Sequence, residues 1–280
     1  MKNNIFNVKN QKTLLFLLLI LVQFYCKAQT TPLLNGFAHN DYRHKHPLFD
    51  ALDNGYTNIE ADIFLRDTTL VVAHFCPMFR EGKTLEKLYL KPLYDRVQQN
   101  NGRVYSNYAR PVILMIDVKT KSDNTYRELE RMLDKYRTML TSYTNGKITY
   151  RAVTVVISGH KPYSLLESET SRLAFIDDDL RRVARDTVTH NVFTMASCKY
   201  SRLLSWDGKG IMPVLQQQRL CAFVAMAHSM GAKVRLWASP ERKAVWDELL
   251  KCGVDLINTD KLVTLRNYLN ANTVTLAKLN

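Results

Sequence analysis

The sequence predicts a (β/α)8 barrel of the TIM type, and three observations favour it. Eight short apolar runs follow one another along the 280 residues. Longer segments with helical periodicity separate most of them, and polar side chains suited to acid–base or metal chemistry stand where several runs end. Strands that alternate with helices are typical of α/β proteins, and eight such units close into a barrel. We therefore expect an α/β fold with a single barrel domain.

The predicted strands are rich in Val, Ile and Phe and are bounded by Gly, Asn, Asp or Pro. A short extension at residues 70–74 follows the second strand, and residues 75–110 form an irregular insertion that we expect to pack over the barrel mouth. In chain order the eight strands are predicted at residues 34–39, 58–64, 112–118, 152–158, 173–177, 191–196, 233–238 and 255–258.

Three segments between these strands carry the clearest helix signals. Residues 123–142 and 215–230 show a periodic apolar pattern. Residues 241–251 follow Ser239, which stands in an N-cap position, and Pro240, which stands in the first turn. The sequence thus predicts helices over all three ranges.

The N-terminus predicts a secretory signal peptide. Lysines precede an apolar run at residues 14–25, and the small side chains of Cys26 and Ala28 stand at the −3 and −1 positions of a cut after Ala28. This divides the chain into a leader, residues 1–28, and a barrel domain, residues 29–280. We expect a secreted or periplasmic protein. A lipid anchor on Cys26 is the alternative, which the bulky residues directly before the cysteine disfavour.

The chain is basic, and the loss of four lysines with the leader lowers its formal charge from +13 to +9. A basic surface favours anionic partners such as phosphate-bearing substrates or membrane surfaces. The basic residues are scattered and no nucleic-acid-binding motif is present, so we expect no nucleic-acid partner. The four remaining cysteines form no Cys-x-x-Cys pair: Cys76, Cys198, Cys221 and Cys252. An oxidising compartment permits disulfides in any of three complete pairings, and buried free thiols are the default interpretation.

Acidic side chains on two predicted strands offer a metal site. Glu60 and Asp62 are two residues apart, so they share one face of a strand, and Asp117 shares a face with Lys119 in the same way. Like charges this close repel each other unless a cation lies between them. Oxygen ligands suit a hard divalent cation, and the ammonium suits an anionic oxygen. Salt bridges to lysine or arginine are the alternative for the first pair, and a local ion pair for the second.

Two histidines close apolar runs on either side of the acidic pair. His39 and His74 can share proton transfers, because imidazole titrates near neutral pH. A structural role is the alternative for each histidine taken alone. His44 and His46 add a second alternative, a zinc-type histidine cluster, which the interleaved basic residues oppose.

Two residues near the C-terminus have open roles. Trp237 ends a predicted strand, where it either walls a substrate pocket or belongs to the core. We interpret Asp260 as a cap of the final helix. Nucleotide-binding glycine loops, Gly-x-Ser-x-Gly and His-Glu-x-x-His motifs do not occur, which argues against kinases, serine hydrolases and zincin proteases.

Taken in order, these stretches resemble the phospholipase C-like phosphodiesterase superfamily, which includes the glycerophosphodiester phosphodiesterases. The sequence also resembles bacterial secreted proteins of the phosphatidylinositol-specific phospholipase C/glycerophosphodiester phosphodiesterase type. With the eight-strand pattern the resemblance covers nearly the whole chain after the leader. The stretches that carry it are residues 38–50, 59–74, 84–93, 116–120 and 233–262.

The resemblance implies a role for each matching residue. His39 and His74 match the two catalytic histidines, and Glu60 and Asp62 match the acid pair that binds calcium or magnesium.

Further matches concern the remaining ligands and the substrate. Asp117 stands where the superfamily has a carboxylate that completes the metal site, Lys119 lies near the phosphate, and Asn40 matches a metal-binding asparagine of phosphoinositide phospholipases.

The chain departs from glycerophosphodiester phosphodiesterases in two places. It reads Asn40-Asp41 where they have Arg-Gly, and Phe75 where they have Asp, which puts that substrate in doubt.

The sequence therefore predicts a secreted, metal-dependent phosphoric diester hydrolase. Its cofactor would be Ca²⁺ or Mg²⁺, and its substrate a small phosphodiester or phospholipid head group, with peripheral membrane contact. A phospholipase or sphingomyelinase-like enzyme is one alternative, which predicts exposed aromatic residues at the mouth such as Phe79, Tyr89 and Tyr94. A ligand-binding barrel without turnover and a metal-dependent glycosidase are the others.

Overall fold

The computed structural model describes residues 30–75, 82–183 and 193–277. The leader predicted at residues 1–28, with Cys26, lies outside the described residues, as do Cys76 and Phe79. Pro32–Asn280 form one compact unit. No helix of the described part is long and apolar enough to cross a membrane.

The strands follow the apolar runs of the sequence closely. In chain order they are β1 (Gly36–Ala38), β2 (Asn58–Arg66), β3 (Thr69–Val72), β4 (Val112–Val118), β5 (Ser142–Thr144), β6 (Lys147–Thr149), β7 (Val153–Gly159), β8 (Ser171–Arg172), β9 (Ala174–Asp179), β10 (Phe193–Lys199), β11 (Lys233–Trp237) and β12 (Ile257–Thr259).

Helices lie between most of these strands. They are α1 (Phe49–Asp53), α2 (Lys91–Gln99), α3 (Ser122–Asp134), α4 (Tyr163–Ser168), α5 (Leu180–Val183), α6 (Val214–Ser229), α7 (Lys243–Lys251) and α8 (Leu262–Ala277). A π-helical segment, Glu86–Leu90, leads into α2, and single 3-10 turns occur at Asp41–Arg43, Arg137–Met139 and Tyr200–Arg202.

Eight of the strands form a parallel TIM barrel, as predicted. Their order around the wall follows the chain: β1, β2, β4, β7, β9, β10, β11 and β12, with β12 paired back to β1. A bridge between Arg235 and Leu256 brings β11 to the start of β12, which nearly closes the ring. Strand β3 pairs with β2 as an antiparallel hairpin, and β5, β6 and β8 form a small separate sheet. The carboxyl ends of all eight barrel strands thus meet at one mouth.

Alternation along the strands divides the apolar residues between two layers. One cluster fills the barrel interior and takes residues from separate strands: Phe37, Ile113, Met115, Val156, Met195 and Leu256. Their neighbours along the strands, such as Leu114 and Ile116 in β4, belong to the larger cluster between the strands and the helices. Side chains alternate across a strand, so every second residue of a barrel strand faces inward. The inward-facing positions nearer the mouth carry polar side chains.

Two predicted helices are shorter in the structure. The helix expected at residues 123–142 ends at Asp134, and the chain then makes a 3-10 turn before it enters β5. The helix expected from residue 241 begins at Lys243. Glu241 is not helical because its carboxylate is used elsewhere: it accepts hydrogen bonds from Thr259 Oγ1 and from the backbone N–H of Asp260.

The insertion expected to be irregular contains a continuous helical stretch in its described part. Its described part runs through the π-helical segment and α2, and buried apolar side chains such as Leu90 and Leu93 place it in the main core. Tyr89, expected among exposed aromatic residues of the mouth, is fully buried and donates a hydrogen bond to Asp41 Oδ2. The prediction for Tyr89 was therefore wrong, and Tyr94 is only partly exposed.

The interpretation of the cysteines as free thiols was wrong for two of them. Cys221 in α6 and Cys252 just after α7 form a disulfide with a Cα–Cα distance of 4.6 Å. Cys198 is a buried free thiol, and burial raises its pKa to about 11. The sequence does not reveal this pairing, because the two cysteines lie 31 residues apart and belong to separate helical segments.

Removal of this disulfide should destabilise the barrel without unfolding it. A cross-link that closes a loop of this length stabilises a protein by about 2–4 kcal/mol, mainly by restricting the unfolded chain. We expect the Cys221→Ala/Cys252→Ala variant to lose about that free energy of unfolding in urea denaturation. Reductant should lower the stability of the wild-type protein by a similar amount and leave that of the double variant unchanged. Equal stability of the wild-type protein with and without reductant would contradict the assignment.

Candidate active site

The cavity at the barrel mouth brings together every site residue that the sequence singled out. It has a volume of about 380 Å³. The eight predicted residues that line it are His39, Asn40, Glu60, Asp62, His74, Asp117, Lys119 and Trp237. They come from β2, β4 and β11 and from the residues directly after β1, β3 and β4. This is the mouth at which the active sites of TIM barrels lie.

The strand register sets the three carboxylates side by side. Asp62 in β2 lies opposite Asp117 in β4, and Glu60 stands two residues earlier on the same inward face. The residues between them, Ala61 and Ile63, are fully buried in the layer toward the helices. The shared face predicted for Glu60 and Asp62 thus follows from the alternation of β2.

A glycine of the neighbouring strand makes room for the Asp117 carboxylate. Gly159, at the end of β7, has a φ of +71°, and an added Cβ there would lie 2.4 Å from Asp117 Oδ1 and 2.4 Å from the carbonyl oxygen of Val118. Any other residue would push the carboxylate out of place, so this position requires glycine.

The three carboxylates fit a hard divalent cation. One oxygen each from Glu60, Asp62 and Asp117 lies within 4.8 Å of the other two, and the set contains only oxygen donors, which Ca²⁺ and Mg²⁺ prefer. Two of the acids are buried and the third is half-buried. Within the described ranges, this is the one group of three or more acidic, histidine or cysteine side chains close enough to share an ion.

The carboxylates also form the ion pairs that the sequence left as an alternative. Lys119 Nζ lies 3.0 Å from both Asp62 Oδ2 and Asp117 Oδ1. Burial by itself lowers the pKa of Lys119, but the two carboxylates outweigh it and hold that pKa above its ordinary value. Lys119 therefore stays charged beside the site.

His39 is oriented by a carboxylate from the far end of the chain. Its Nδ1 lies 2.7 Å from Asp260 Oδ1, and its Nε2 lies 3.5 Å from Glu60 Oε2. We assign the Nδ1 proton to the hydrogen bond with Asp260, which leaves Nε2 for the site. Burial by itself lowers the pKa of His39, but the bond to Asp260 and the charges of Glu60 and Asp260 raise it above its ordinary value.

His74 is held in the same manner on the other side. Its Nδ1 lies 3.0 Å from Asp62 Oδ2 and 2.8 Å from the hydroxyl of Tyr42. That hydroxyl is also 2.8 Å from Asp62 Oδ2 and 2.7 Å from Asn40 Oδ1, so Tyr42 ties both histidine-bearing segments together. Burial raises the pKa of Tyr42, which therefore remains a neutral hydroxyl.

Three residues of the site were missed or misread from the sequence. Asp260 orients His39 and accepts from Asn40 Nδ2 at 3.3 Å, instead of capping the final helix as we had interpreted it. Tyr42 and Arg235 were not singled out. Arg235 is buried and contacts Glu60 at 3.3 Å.

The alternative histidine cluster does not form. His46 pairs with Asp50 at 3.2 Å, and neither His46 nor His44 belongs to the acidic group that could hold an ion.

Trp237 is half-buried on the cavity wall, with Lys199 Nζ 5.7 Å from its ring centre. Of the two positions considered for Trp237, the structure shows the pocket wall; its substrate role stays a prediction.

Comparisons with known proteins point to one kind of domain. A family model described as the AIM6-like phosphodiesterase domain matches residues 26–177, and a glycerophosphoryl diester phosphodiesterase family model matches residues 233–262. Altered inheritance of mitochondria protein 6 of Eremothecium gossypii is 27% identical, with 82% of this chain and 68% of that protein covered. The protein of the same name from Lachancea thermotolerans is 26% identical, with 80% and 63% covered.

The chain therefore spans about two thirds of the length of these curated relatives. A crystal structure of a glycerophosphodiester phosphodiesterase from Parabacteroides distasonis aligns with a TM-score of 0.48 at 14% identity, and the alignment covers 88% of this chain and 98% of that one.

Proposed function

Because the chain belongs to the AIM6-like phosphodiesterase domain family, within the phospholipase C-like phosphodiesterase superfamily, we propose that it hydrolyses a phosphoric diester at the barrel mouth. One observation carries the proposal. Two imidazoles, each held by a carboxylate at Nδ1, line the same cavity as a cluster of three carboxylates. Proton transfer and charge neutralisation are what cleavage of a phosphodiester at neutral pH requires.

Glu60, Asp62, Asp117 and the neighbouring Asn40 would hold the divalent cation. Bound there, Ca²⁺ or Mg²⁺ would neutralise charge on a non-bridging phosphoryl oxygen and lower the pKa of an attacking hydroxyl. Lys119, whose Nζ contacts two of these carboxylates, would bind a second non-bridging oxygen. These residues would thus fix the phosphate between the two histidines.

The histidines would divide the proton transfers. One Nε2 takes the proton of the attacking hydroxyl, and the other gives a proton to the leaving alkoxide. Where the nucleophile is a neighbouring hydroxyl of the substrate, a cyclic phosphodiester forms first, and water then opens it with the histidines in exchanged roles. Asp260 and Asp62 keep the Nδ1 proton in place throughout, so each Nε2 is presented in the correct tautomer.

The substrate we propose is a small phosphodiester or phospholipid head group met outside the cytoplasm. The signal-peptide pattern of the leader supports secretion or export to the periplasm. Exposed apolar residues support contact with a membrane surface. Phe75 beside His74 is 76% exposed, and Ile211 and Leu215, in the segment after β10, are 95% and 77% exposed.

Hydrolysis by the purified protein tests this proposal. A panel of glycerophosphodiesters and phospholipids should be cleaved with Ca²⁺ or Mg²⁺ and spared in EDTA. Glu60→Ala should abolish turnover, because it removes a cation ligand and leaves Arg235 without one of its partners. Lys91→Ala, at an exposed helix position that does not line the cavity, serves as the control. Cleavage that survives both EDTA and Glu60→Ala would contradict the mechanism, and no cleavage of any diester would favour a ligand-binding barrel.

A further inference from the structure

One hydroxyl contacts three residues of the candidate site. The Tyr42 hydroxyl oxygen lies 2.7 Å from Asn40 Oδ1, 2.8 Å from Asp62 Oδ2 and 2.8 Å from His74 Nδ1. The Tyr42 ring is half-buried and packs against the main core, which limits the positions open to the hydroxyl. Tyr42 does not itself line the cavity, so it acts on a bound substrate only through these neighbours.

The directions of these hydrogen bonds follow from the single proton of the hydroxyl. Asn40 Oδ1 and Asp62 Oδ2 are both acceptors, so they share the Tyr42 proton. The Tyr42 oxygen then has a lone pair left for the Nδ1–H of His74. This agrees with the tautomer assigned to His74, in which Nε2 is left for the site.

The side-chain amide of Asn40 connects this hydroxyl to the other histidine. Its Oδ1 contacts Tyr42, whereas its Nδ2 lies 3.3 Å from Asp260 Oδ1 and 2.8 Å from His39 Nδ1. The two ends of an amide differ, because the oxygen accepts hydrogen bonds and the nitrogen donates them. Loss of the partner at one end therefore changes the orientation of the amide at the other end.

The backbone fixes Asn40 and Tyr42 in this arrangement. Asn40 has a φ of +48°, a left-handed conformation that asparagine adopts more readily than most residues, and it begins the 3-10 turn that contains Tyr42. Asp41 in that turn is fully buried and accepts hydrogen bonds from the backbone N–H of Leu48 at 2.6 Å and from the Tyr89 hydroxyl at 2.9 Å. The protein interior thus anchors the turn that presents the Tyr42 hydroxyl.

We propose that Tyr42 is a positioning residue that joins the two histidine–carboxylate pairs into one hydrogen-bond network. The network runs, in order, through His74, Tyr42, Asn40, Asp260 and His39. This inference rests on the proposed function for the roles of the two imidazoles, and it adds that the orientation of each imidazole depends on the other. Such networks contribute more than the sum of their separate hydrogen bonds.

Removal of the hydroxyl alone tests the role of Tyr42. Tyr42→Phe keeps the ring, and kcat should fall about tenfold, the factor that corresponds to one hydrogen bond of ordinary strength. KM should stay close to the wild-type value, because every cavity-lining side chain is retained. A fall in kcat/KM caused by KM alone would overturn the positioning role.

Tyr268→Phe is the matched control. It also removes the hydroxyl of a half-buried tyrosine that donates to a carboxylate, Asp247 Oδ1 at 2.7 Å, but Tyr268 does not line the cavity or contact a residue that does so through this bond. Its kcat should equal that of the wild-type protein. Thermal melting checks that both variants are folded.

A double-variant cycle shows whether the two pairs are joined. Asp260 is not among the three hydrogen-bond partners of Tyr42. In a network linked through Asn40, Tyr42→Phe should lower kcat by less than about threefold in the Asp260→Asn background, because the amide has already lost one partner there. Independent residues would instead give the product of the two single factors, and that result would overturn the link.

NMR spectra in EDTA test the network without catalysis. Tyr42→Phe should shift the imidazole signals of His39 as well as those of His74, although the hydroxyl contacts only His74, and Tyr268→Phe should shift neither. Unchanged His39 signals in Tyr42→Phe would overturn the network even if diesters are hydrolysed. Failure of the wild-type protein to hydrolyse any diester would count against the proposed function alone, because the spectra still decide the network.

Discussion

His39→Ala and His74→Ala should each lower kcat by about 10²–10⁴-fold, the usual contribution of a general acid or base. Each substitution removes an imidazole that lines the cavity and leaves the three carboxylates of the cluster in place. KM should change far less than kcat, because neither histidine provides the main charge that binds the phosphate. Steady-state kinetics on the best diester of the panel measures both constants.

Asp260→Asn provides a matched control for His39. It keeps the shape of the side chain and removes the charge that orients Nδ1, so kcat should fall less than in His39→Ala. It should also lower the pKa of His39, because the bond to Asp260 and its charge raise that pKa. NMR titration of the imidazole in EDTA gives this shift directly. If His39→Ala retained full kcat, or Asp260→Asn left the pKa of His39 unchanged, the roles assigned to His39 and Asp260 would be wrong.

The sequence predicted the site residues that lie on strands with a clear two-residue alternation of side chains. Glu60 and Asp62 share a face because β2 alternates, and Asp117 meets Asp62 because the strands are parallel and in register. Each of these relations follows from local pattern and the fold class. The candidate residues at strand ends could therefore be placed at one barrel mouth without coordinates.

The residues that were missed depend on contacts between distant segments. His39 and Asp260 are 221 positions apart, and Glu60 and Arg235 are 175 apart. Arg235 lies in a strand whose pattern reads as plain alternation, and Asp260 stands just before a helix, where a capping role is the usual local interpretation. Only the closure of the barrel shows that both face the site.

Two predicted helices differ from the structure at one end, because tertiary contacts there outweigh helix propensity. Residues 135–142 fit the apolar period of α3, yet tertiary pairing draws Ser142–Thr144 into the small sheet with β6 and β8. Residues before Lys243 carry good helix-start signals, but the Glu241 carboxylate binds Thr259 and fixes an extended approach. In both places tertiary contacts, which the sequence does not reveal, override the local helix propensity.

Arg235→Met should be the most destabilising single substitution at this mouth. Arg235 is 3% exposed, and it contacts Glu60 at 3.3 Å, Asp177 at 3.6 Å and Asn258 Oδ1 at 3.1 Å. Its guanidinium carbon also lies 4.3 Å from the ring centre of Phe37. Removal of one partner from a buried ion pair costs about 3–5 kcal/mol, because the remaining charges stay buried without compensation. Urea denaturation measures the loss, and Arg219→Met on the exposed face of α6 should change stability by less than about 0.5 kcal/mol.

The pH dependence of this deficit identifies its cause. Burial already raises the pKa of Asp177 above its ordinary value, although Arg235 opposes the shift. Without Arg235 that pKa should rise further, so the folded variant binds a proton more readily than the unfolded chain does. Its stability is then retained at acidic pH and lost as pH rises through the folded-state pKa, and the deficit relative to wild type should grow toward neutral pH. Asp177→Asn in the Arg235→Met background should recover part of the loss. A deficit independent of pH and of Asp177 would instead indicate lost packing on Phe37.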